Sequence, residues 1–256
     1  MKTLYLLFIL TMIIPSLGFA QYFTVDSFTD ESPYNKEFAF IFPKLKSATN
    51  QSAADLINKD LTREILNLES GQQSRSIFEK IWGEKEMDIP RVSDISFKVV
   101  NNDADFFCIS ISATACVNAC ESWTRYYVKE SHSGATILIT ELFTRDGLNL
   151  LFDSVSAIKT RRIQAYTDTL KYSLSKKMLS DDDKRDYQAA IDQYAKCMQK
   201  SESYTVYSLD KKRITIHVGR CLPFALQFLD KVDRDVAFDI STFDTFLSDY
   251  GKKLLK

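Results

Sequence analysis

The sequence predicts an α+β fold, in which an antiparallel meander of strands packs against several helices. Apolar and polar residues alternate through much of residues 95–129, which is the period of a strand with one buried face. On both sides of that segment, apolar residues recur every three or four positions, which is the period of an amphipathic helix. Strands and helices do not alternate regularly along the chain, so the pattern favours α+β over a parallel α/β fold.

The first predicted elements are one strand and two helices. The strand covers residues 36–42 and ends at Pro43. The first helix begins near Ser52, which forms a capping-box pattern with Asp55, and a second, shorter helix covers residues 74–82. The apolar face of the first helix contains Ala54, Ile57, Leu61, Ile65 and Leu68.

The central segment predicts the meander itself. Its strands are short apolar–polar alternations, and the segments between them are rich in Asn, Asp, Ser and Gly, which favour turns. The predicted strands cover residues 95–99, 105–116, 123–129 and 136–140, with turns at residues 101–103 and 131–134.

The C-terminal part predicts three further helices and one strand. Helical periodicity runs over residues 151–174, and a second helix begins at Ser180. The three aspartates that follow Ser180 suit the positive end of a helix dipole. Alternation predicts a strand over residues 214–218, and the last helix begins at Ser241, with Asp244 in its first turn.

The first 20 residues are typical of a cleavable secretory signal peptide. Lys2 gives a positive start, and the apolar run over residues 4–14 is about 11 residues long, shorter than the ~20 that span a membrane. Gly18 and Ala20 place small residues before a predicted cut ahead of Gln21. An uncleaved anchor is the alternative, but we expect a periplasmic or secreted protein with no membrane span after cleavage.

The mature chain is expected to form one domain over residues 21–256. An early strand–helix part covers about residues 21–90, and the core sheet and its helices cover about residues 91–256. The formal net charge of the whole chain is -1, which argues against a nucleic-acid-binding protein because such proteins are basic.

The chain contains five cysteines, so at least one is free or bonded to another molecule. Cys108 and Cys116 lie about 26 Å apart on one predicted strand, at about 3.3 Å per residue. A disulfide needs Cα atoms about 6 Å apart. We therefore favour disulfides between Cys116 and Cys120 and between Cys197 and Cys221, with Cys108 buried and reduced.

No sequence motif marks a catalytic, metal or cofactor site. The two histidines are expected in a hairpin turn (His132) and on the outer face of a strand (His217). The spacing of the histidines and cysteines matches no set of metal ligands, and no cofactor is expected. Glu121 and Glu141 flank the meander, and a pair of carboxylates is the feature that would suit a glycoside hydrolase.

An aromatic cluster is the more informative feature. Tyr126 and Tyr127 are neighbours on a predicted strand, so they face opposite sides of the sheet. Either a helix covers the second face of the sheet as well, or one aromatic side chain is exposed, where it can stack on a sugar or anchor a protein. Trp123, Tyr126, Tyr127 and Glu121 are therefore the candidate binding residues.

The central segment resembles a known family. Residues 106–143 (FFCISISATACVNACESWTRYYVKESHSGATILITELF) resemble the core of the RsiV-type extracytoplasmic domain of unknown function. Residues 40–68 resemble the strand and helix that precede this core, and residues 219–230 and 238–255 resemble its closing strands and helix. Cys116 and Cys120 resemble the two cysteines of one branch of the family.

The resemblance implies an extracytoplasmic domain without a catalytic motif. In one setting the domain is the outer part of a membrane anti-sigma factor and binds lysozyme, and in another it precedes the catalytic domain of the peptidoglycan deacetylase PdaC. We expect neither role to transfer whole, because no second apolar run follows the signal and the chain leaves no room for a deacetylase domain.

The expected function is therefore a binding or sensing domain that does not catalyse a reaction. Its partner is an unidentified protein of the cell envelope or a cell-wall glycan. Two alternatives stay open, a hydrolase of envelope polysaccharide or peptidoglycan and a structural or assembly protein of the envelope.

Overall fold

The computed structural model describes residues 22–31, 39–68, 76–82, 91–116, 120–176, 179–199 and 204–255. The predicted signal peptide lies outside these residues, as do residues 36–38 of the first predicted strand and residues 74–75 of the short helix. The helices are α1 (Gln51–Leu66), α2 (Glu79–Trp82), α3 (Ile139–Leu142), α4 (Arg145–Leu174), α5 (Asp181–Gln199) and α6 (Asp249–Leu255). The strands are β1 (Thr24–Glu31), β2 (Ala39–Lys46), β3 (Arg91–Asn102), β4 (Phe106–Cys116), β5 (Cys120–Glu130), β6 (Tyr207–Leu209), β7 (Arg213–His217) and β8 (Asp235–Asp239). The predicted α+β class is confirmed.

A five-stranded sheet, here the large sheet, has its strands in the order β1-β2-β3-β4-β5. Strands β3, β4 and β5 form the predicted antiparallel meander, and β1 pairs with β2 in the same way. Strands β2 and β3 are parallel and meet at Phe40 and Ile95. The sheet is mostly antiparallel because short segments join most of its neighbouring strands, whereas parallel strands need a long crossover.

Helix α1 covers one side of the large sheet, which we call the closed face. Its buried side chains pack against those of β2 and β4 in one core that includes Ile57, Leu61, Phe107 and Ile109. The cap differs from the sequence prediction, because Asn50 rather than Ser52 accepts a hydrogen bond from the Ala53 N–H. Asn is equally suited to this position, and the helix begins two residues earlier than the capping-box pattern suggested.

Strand β2 continues through Pro43, which was expected to end it. The N–H and C=O of Leu45 bond to the Asn58 side chain of α1 (2.8 Å each), on the side of β2 that faces away from β1. Backbone groups two residues apart point the same way, so the missing N–H of Pro43 falls on that same side. Among the described residues no strand pairs with that side of β2 at Pro43, so the proline costs no sheet hydrogen bond.

The opposite side of the large sheet, which we call the open face, is only partly covered. An antiparallel three-stranded sheet, here the small sheet, has its strands in the order β6-β7-β8. It shares a core with Cys108 and Val128 of the large sheet and with Leu151 and Val155 of α4. A third cluster joins α4 to α5. The sequence predicted β7 but not β6 or β8.

Two predicted elements were wrong in detail, one at the end of the central segment and one near the C-terminus. Residues 136–140 form a single bridge, between Thr136 and Lys129, and then turn into α3 rather than continuing as a strand. The last predicted helix is divided into a 3₁₀ segment over Ile240–Phe246 and the helix α6. The break occurs at Leu247, because this buried residue is extended and forms a bridge with Phe143.

The described cysteines include both disulfide-bonded and free side chains. Cys197 at the end of α5 is bonded to Cys221, with Cα atoms 5.6 Å apart, which is the pair that the sequence favours. Cys108 is free and buried, and burial raises the pKa of its thiol to about 12. Cys120 is disulfide-bonded and stands opposite Cys116 in the β4–β5 register. The side chain of Cys116 lies outside the described residues, so that pairing stays a prediction.

Candidate functional site

Tyr126 and Tyr127 point to opposite faces of the large sheet, as neighbours on one strand should. Tyr127 is 8% exposed and belongs to the closed-face core, where burial raises the pKa of its hydroxyl to about 12. Tyr126 lies on the open face, and its ring stacks on that of His217 with centroids 3.6 Å apart and planes 4° apart. The aromatic side chain that borders the open face is therefore Tyr126.

The sequence had suggested that His217 lies on an outer face. In the structure it lies between the two sheets. Its side chain is 12% exposed, and its ring nitrogens contact Asp235 (Nδ1 to Oδ1, 2.8 Å) and Ser208 (Nε2 to Oγ, 2.9 Å). Burial lowers the pKa of His217, and the Asp235 carboxylate offsets only part of that effect. The neutral ring therefore donates from Nδ1 to the Asp235 carboxyl group and accepts from the Ser208 hydroxyl.

Beyond Tyr126, the open face of β4 and β5 carries paired hydroxyl groups. The Ser112 and Thr124 hydroxyls are 2.9 Å apart, and those of Thr114 and Ser122 are 3.0 Å apart. We call these four side chains the hydroxyl rows. Each hydroxyl has one donor and two acceptor positions, so each pair keeps a donor and several acceptors for a ligand.

The hydroxyl rows form the floor of a cleft of about 710 Å³ between the large sheet and the segments that adjoin the small sheet. Tyr126 and His217 stand at its inner end. Asp94 of β3 borders the floor, and Val206 and Val218 line the other side. The cleft is open to solvent, and three of the four predicted binding residues, Glu121, Trp123 and Tyr126, line it.

Two arginines line the cleft, and they differ in their partners. Nη1 of Arg220 is 3.1 Å from Oε1 of Glu121, and Nε of Arg220 is 3.9 Å from Oδ2 of Asp230. The predicted binding residue Glu121 is therefore held by Arg220 at the edge of the cleft. Arg234 is exposed, and within the described residues its side chain forms no ion pair.

Trp123 also borders the cleft, although it belongs to the same series of β5 side chains as Tyr127, which lies on the closed face. Its half-buried ring packs against the closed-face core and lies 5.0 Å from the guanidinium carbon of Arg125. Of the four predicted residues, the structure thus brings Trp123, Tyr126 and Glu121 to the cleft and places Tyr127 in the core.

Sequence reasoning missed the partners supplied by the small sheet. Ser208 and Asp235 lie on β6 and β8, strands of three and five residues that carry too little alternation to be recognised. The available signal was His217 itself, because it alternates with buried residues on a short strand and therefore had to face either solvent or another sheet.

The contacts of Ser208, His217 and Asp235 have the order of a catalytic triad, with serine on Nε2 and aspartate on Nδ1. Ser208 is nevertheless only 8% exposed and does not line the cleft. The N–H of the next residue, Leu209, points into the core and donates to Cys108 Sγ (3.4 Å), so it cannot stabilise an oxyanion. The arrangement holds the His217 ring in place beneath Tyr126.

Among the described residues, no group of three or more His, Cys, Asp or Glu side chains could hold a metal ion. Across the described ranges, none of the helices has both the length and the apolar character required to cross a membrane.

The fold and the cleft together define an α+β protein in which a small sheet partly covers a large one and leaves a polar cleft beside it. Solved structures share this fold. A DUF3298 family member from Bacteroides fragilis NCTC 9343 superposes with a TM-score of 0.53 at 12% identity, covering 93% of this chain and 98% of that one. A DUF3298 family protein from Pseudomonas aeruginosa PAO1 superposes with a TM-score of 0.52 at 8% identity, covering 90% and 95%.

These similarities show the fold alone, because both identities are low. No family model matches the sequence, and no curated protein is similar to it at a significant level. The structural neighbours belong to a domain family of unknown function. The RsiV-type identity and its two-cysteine branch stay predictions.

Proposed function

We propose that residues 21–256 form an exported binding domain whose ligand is a glycan held in the cleft. Export is supported by the signal-like N-terminus and by the disulfide between Cys197 and Cys221, a bond typical of oxidising compartments. The domain binds without catalysing a reaction, and its surroundings are the periplasm or the cell exterior.

The hydroxyl rows carry this proposal. A surface that offers alternating donors and acceptors matches the hydroxyl groups of a saccharide, and a site built for hydroxyl groups rejects ligands that lack them. Tyr126 and Trp123 add aromatic surface at the same cleft. A protein partner would instead be expected to need apolar anchors, and the open-face side chains next to the hydroxyl rows are mainly polar.

The test is calorimetric binding of purified envelope glycan fragments to the mature chain. Tyr126→Ala should weaken binding about fivefold or more, because it removes the aromatic surface at the inner end of the cleft. Thr114→Val keeps the β-branched shape but removes one hydroxyl, and it should weaken binding by roughly two- to tenfold.

Two variants outside the cleft are the matched controls. Tyr172→Ala removes an aromatic ring that is exposed on α4, and Thr29→Val removes an exposed hydroxyl on β1. Both should bind like the unchanged chain. Equal losses in the cleft variants and their controls, or no binding of any glycan, would reject the proposal.

A hydrolase is the second candidate, and the Ser208–His217–Asp235 contacts are the observation that favours it. A fluorophosphonate probe, which forms a bond only with an activated serine, distinguishes the two functions. The burial of Ser208 predicts that the folded chain is not labelled. Labelling that is lost in Ser208→Ala would establish the hydrolase and overturn the non-catalytic proposal.

A further inference from the structure

The arginines of the cleft indicate which kind of glycan it would hold. Arg220 has two carboxylate partners, Glu121 and Asp230, and its side chain is 22% exposed. Arg234 has none among the described residues, although it lies between two acids in the sequence. Asp233 is paired with Arg162 (3.1 Å), and Asp235 is paired with His217 (2.8 Å). Asp233 is therefore held in an ion pair and Asp235 by a hydrogen bond from the neutral His217, and neither acid forms an ion pair with Arg234 among the described residues.

The large-sheet side of the cleft carries the opposite charge. Asp94 lies in register with Thr114, which lies in register with Ser122, so one row of side chains crosses three strands over about 10 Å. Asp94 accepts a hydrogen bond from the Ser93 hydroxyl (3.3 Å) and has no cationic partner in the described part of the chain. An ionised carboxylate only accepts hydrogen bonds, so Asp94 suits the hydroxyl or amide donors of a sugar.

We propose that the cleft binds a saccharide that carries one carboxylate, with Arg234 as the anion contact and the hydroxyl rows and Asp94 as contacts for the sugar hydroxyls. This inference rests on the proposed glycan-binding function. The carboxylate is either that of a uronic acid ring or that of a lactyl ether on an amino sugar, since both give a singly charged, hydroxyl-rich unit.

The charge of the cleft favours a carboxylate over a phosphate. Three acids line it, namely Asp94, Glu121 and Asp235, against the two arginines. A guanidinium binds carboxylates and phosphates alike through its fork of N–H donors. Glu121 is already paired with Arg220, so of the two arginines Arg234 is the one left to contact an anion. A doubly charged phosphate would place a second negative charge near Asp94 and Asp235, whereas the Arg234 guanidinium can match the charge of one carboxylate.

The experiment measures calorimetric affinity of the mature chain for four probes. They are the methyl glycoside of galacturonate, its methyl ester, the peptide-free disaccharide of N-acetylglucosamine and N-acetylmuramate, and neutral chitobiose, so that each acidic probe carries one carboxylate. At least one acidic probe should bind about tenfold more tightly than its neutral counterpart, because charge-assisted hydrogen bonds are about twice as strong as neutral ones. Comparison of the two acidic probes identifies the source of the carboxylate.

Arg234→Gln should abolish the preference for the acid and leave the affinity for the neutral probe nearly unchanged. Arg185→Gln is the matched control, because this arginine is 75% exposed on α5 and does not line the cleft. It should keep the full preference, and in the unchanged chain the preference should weaken as salt is added.

The outcomes separate this inference from the proposed function. If neutral and acidic probes bind equally, the inference is overturned while the glycan-binding proposal stands. If no saccharide binds, both are overturned. If the chain binds an envelope protein that these saccharides do not displace, the cleft is a protein-binding site and the inference is overturned as well.

Discussion

The two faces of the large sheet use the same strands for different purposes. On the closed face, Phe107, Ile109 and Ile111 of β4 are fully buried beneath α1. On the open face, the alternate residues of β4 change along the strand, from the buried Cys108 to the hydroxyls of Ser112 and Thr114. The stacked rings of Tyr126 and His217 mark the point where the small sheet ends and the cleft begins.

This difference explains how one strand can hold the fold together and also present a site. A strand places successive side chains on opposite faces, so apolar side chains toward α1 leave the other series free to become polar. The open-face series is buried only where the small sheet reaches it. The cleft is therefore a consequence of the incomplete second layer. Apolar packing on the closed face stabilises the fold, so the open face can carry polar side chains.

The largest expected effect is a loss of stability on the closed face. Phe107→Ala removes a fully buried ring that contacts Phe23 edge-to-face at 5.5 Å between centroids. The free energy of unfolding should fall by about 3–5 kcal/mol, as the substitution leaves a cavity in a packed core. Denaturant unfolding measures this loss, and a change below about 1 kcal/mol would contradict a tightly packed closed face.

The disulfide on the open-face side should have the next largest effect. It closes the loop from Cys197 to Cys221, positions separated by 24 residues, and it holds α5 near the cleft residues Gly219 and Arg220. The double variant Cys197→Ser/Cys221→Ser should lose about 3 kcal/mol of stability through the greater entropy of its unfolded chain. Thermal unfolding with and without reductant checks this, since reductant should no longer affect the variant through this bond.

The sequence predicted the closed face better than the open one, and the reason is physical. The helix α1 and the meander carry strong local periods, so their buried residues could be recognised from spacing alone. Tyr126 and Tyr127 could be placed on opposite faces but not assigned to either, because that depends on which layers pack there. The partners of His217 come from β6 and β8, and contacts between distant short strands leave no local pattern.

The stability of the protein should depend on pH through His217, which lies where the small sheet meets the open face. Because burial lowers the pKa of His217, the unfolded chain takes up a proton at a higher pH than the folded chain does. The contribution of His217 to the free energy of unfolding should therefore be fully present above the ordinary histidine pKa of about 6.5 and should be lost as the pH falls below that value. Urea unfolding from pH 7.5 to 5 should show a shallower decline in His217→Gln, and identical profiles would contradict a lowered pKa for His217.

The smallest expected effect is on the stability of the open face itself. Ser112→Ala removes one member of a hydroxyl pair on the same strand as Phe107, but the remaining Thr124 hydroxyl is exposed and can bond to water instead. The free energy of unfolding should change by less than about 0.5 kcal/mol. The same substitution should still weaken glycan binding, because the ligand displaces that water and finds one partner fewer. Unfolding and calorimetric binding measured on one preparation test both statements. A loss of stability comparable to that of Phe107→Ala would mean that the hydroxyl rows belong to the packed structure rather than to a site.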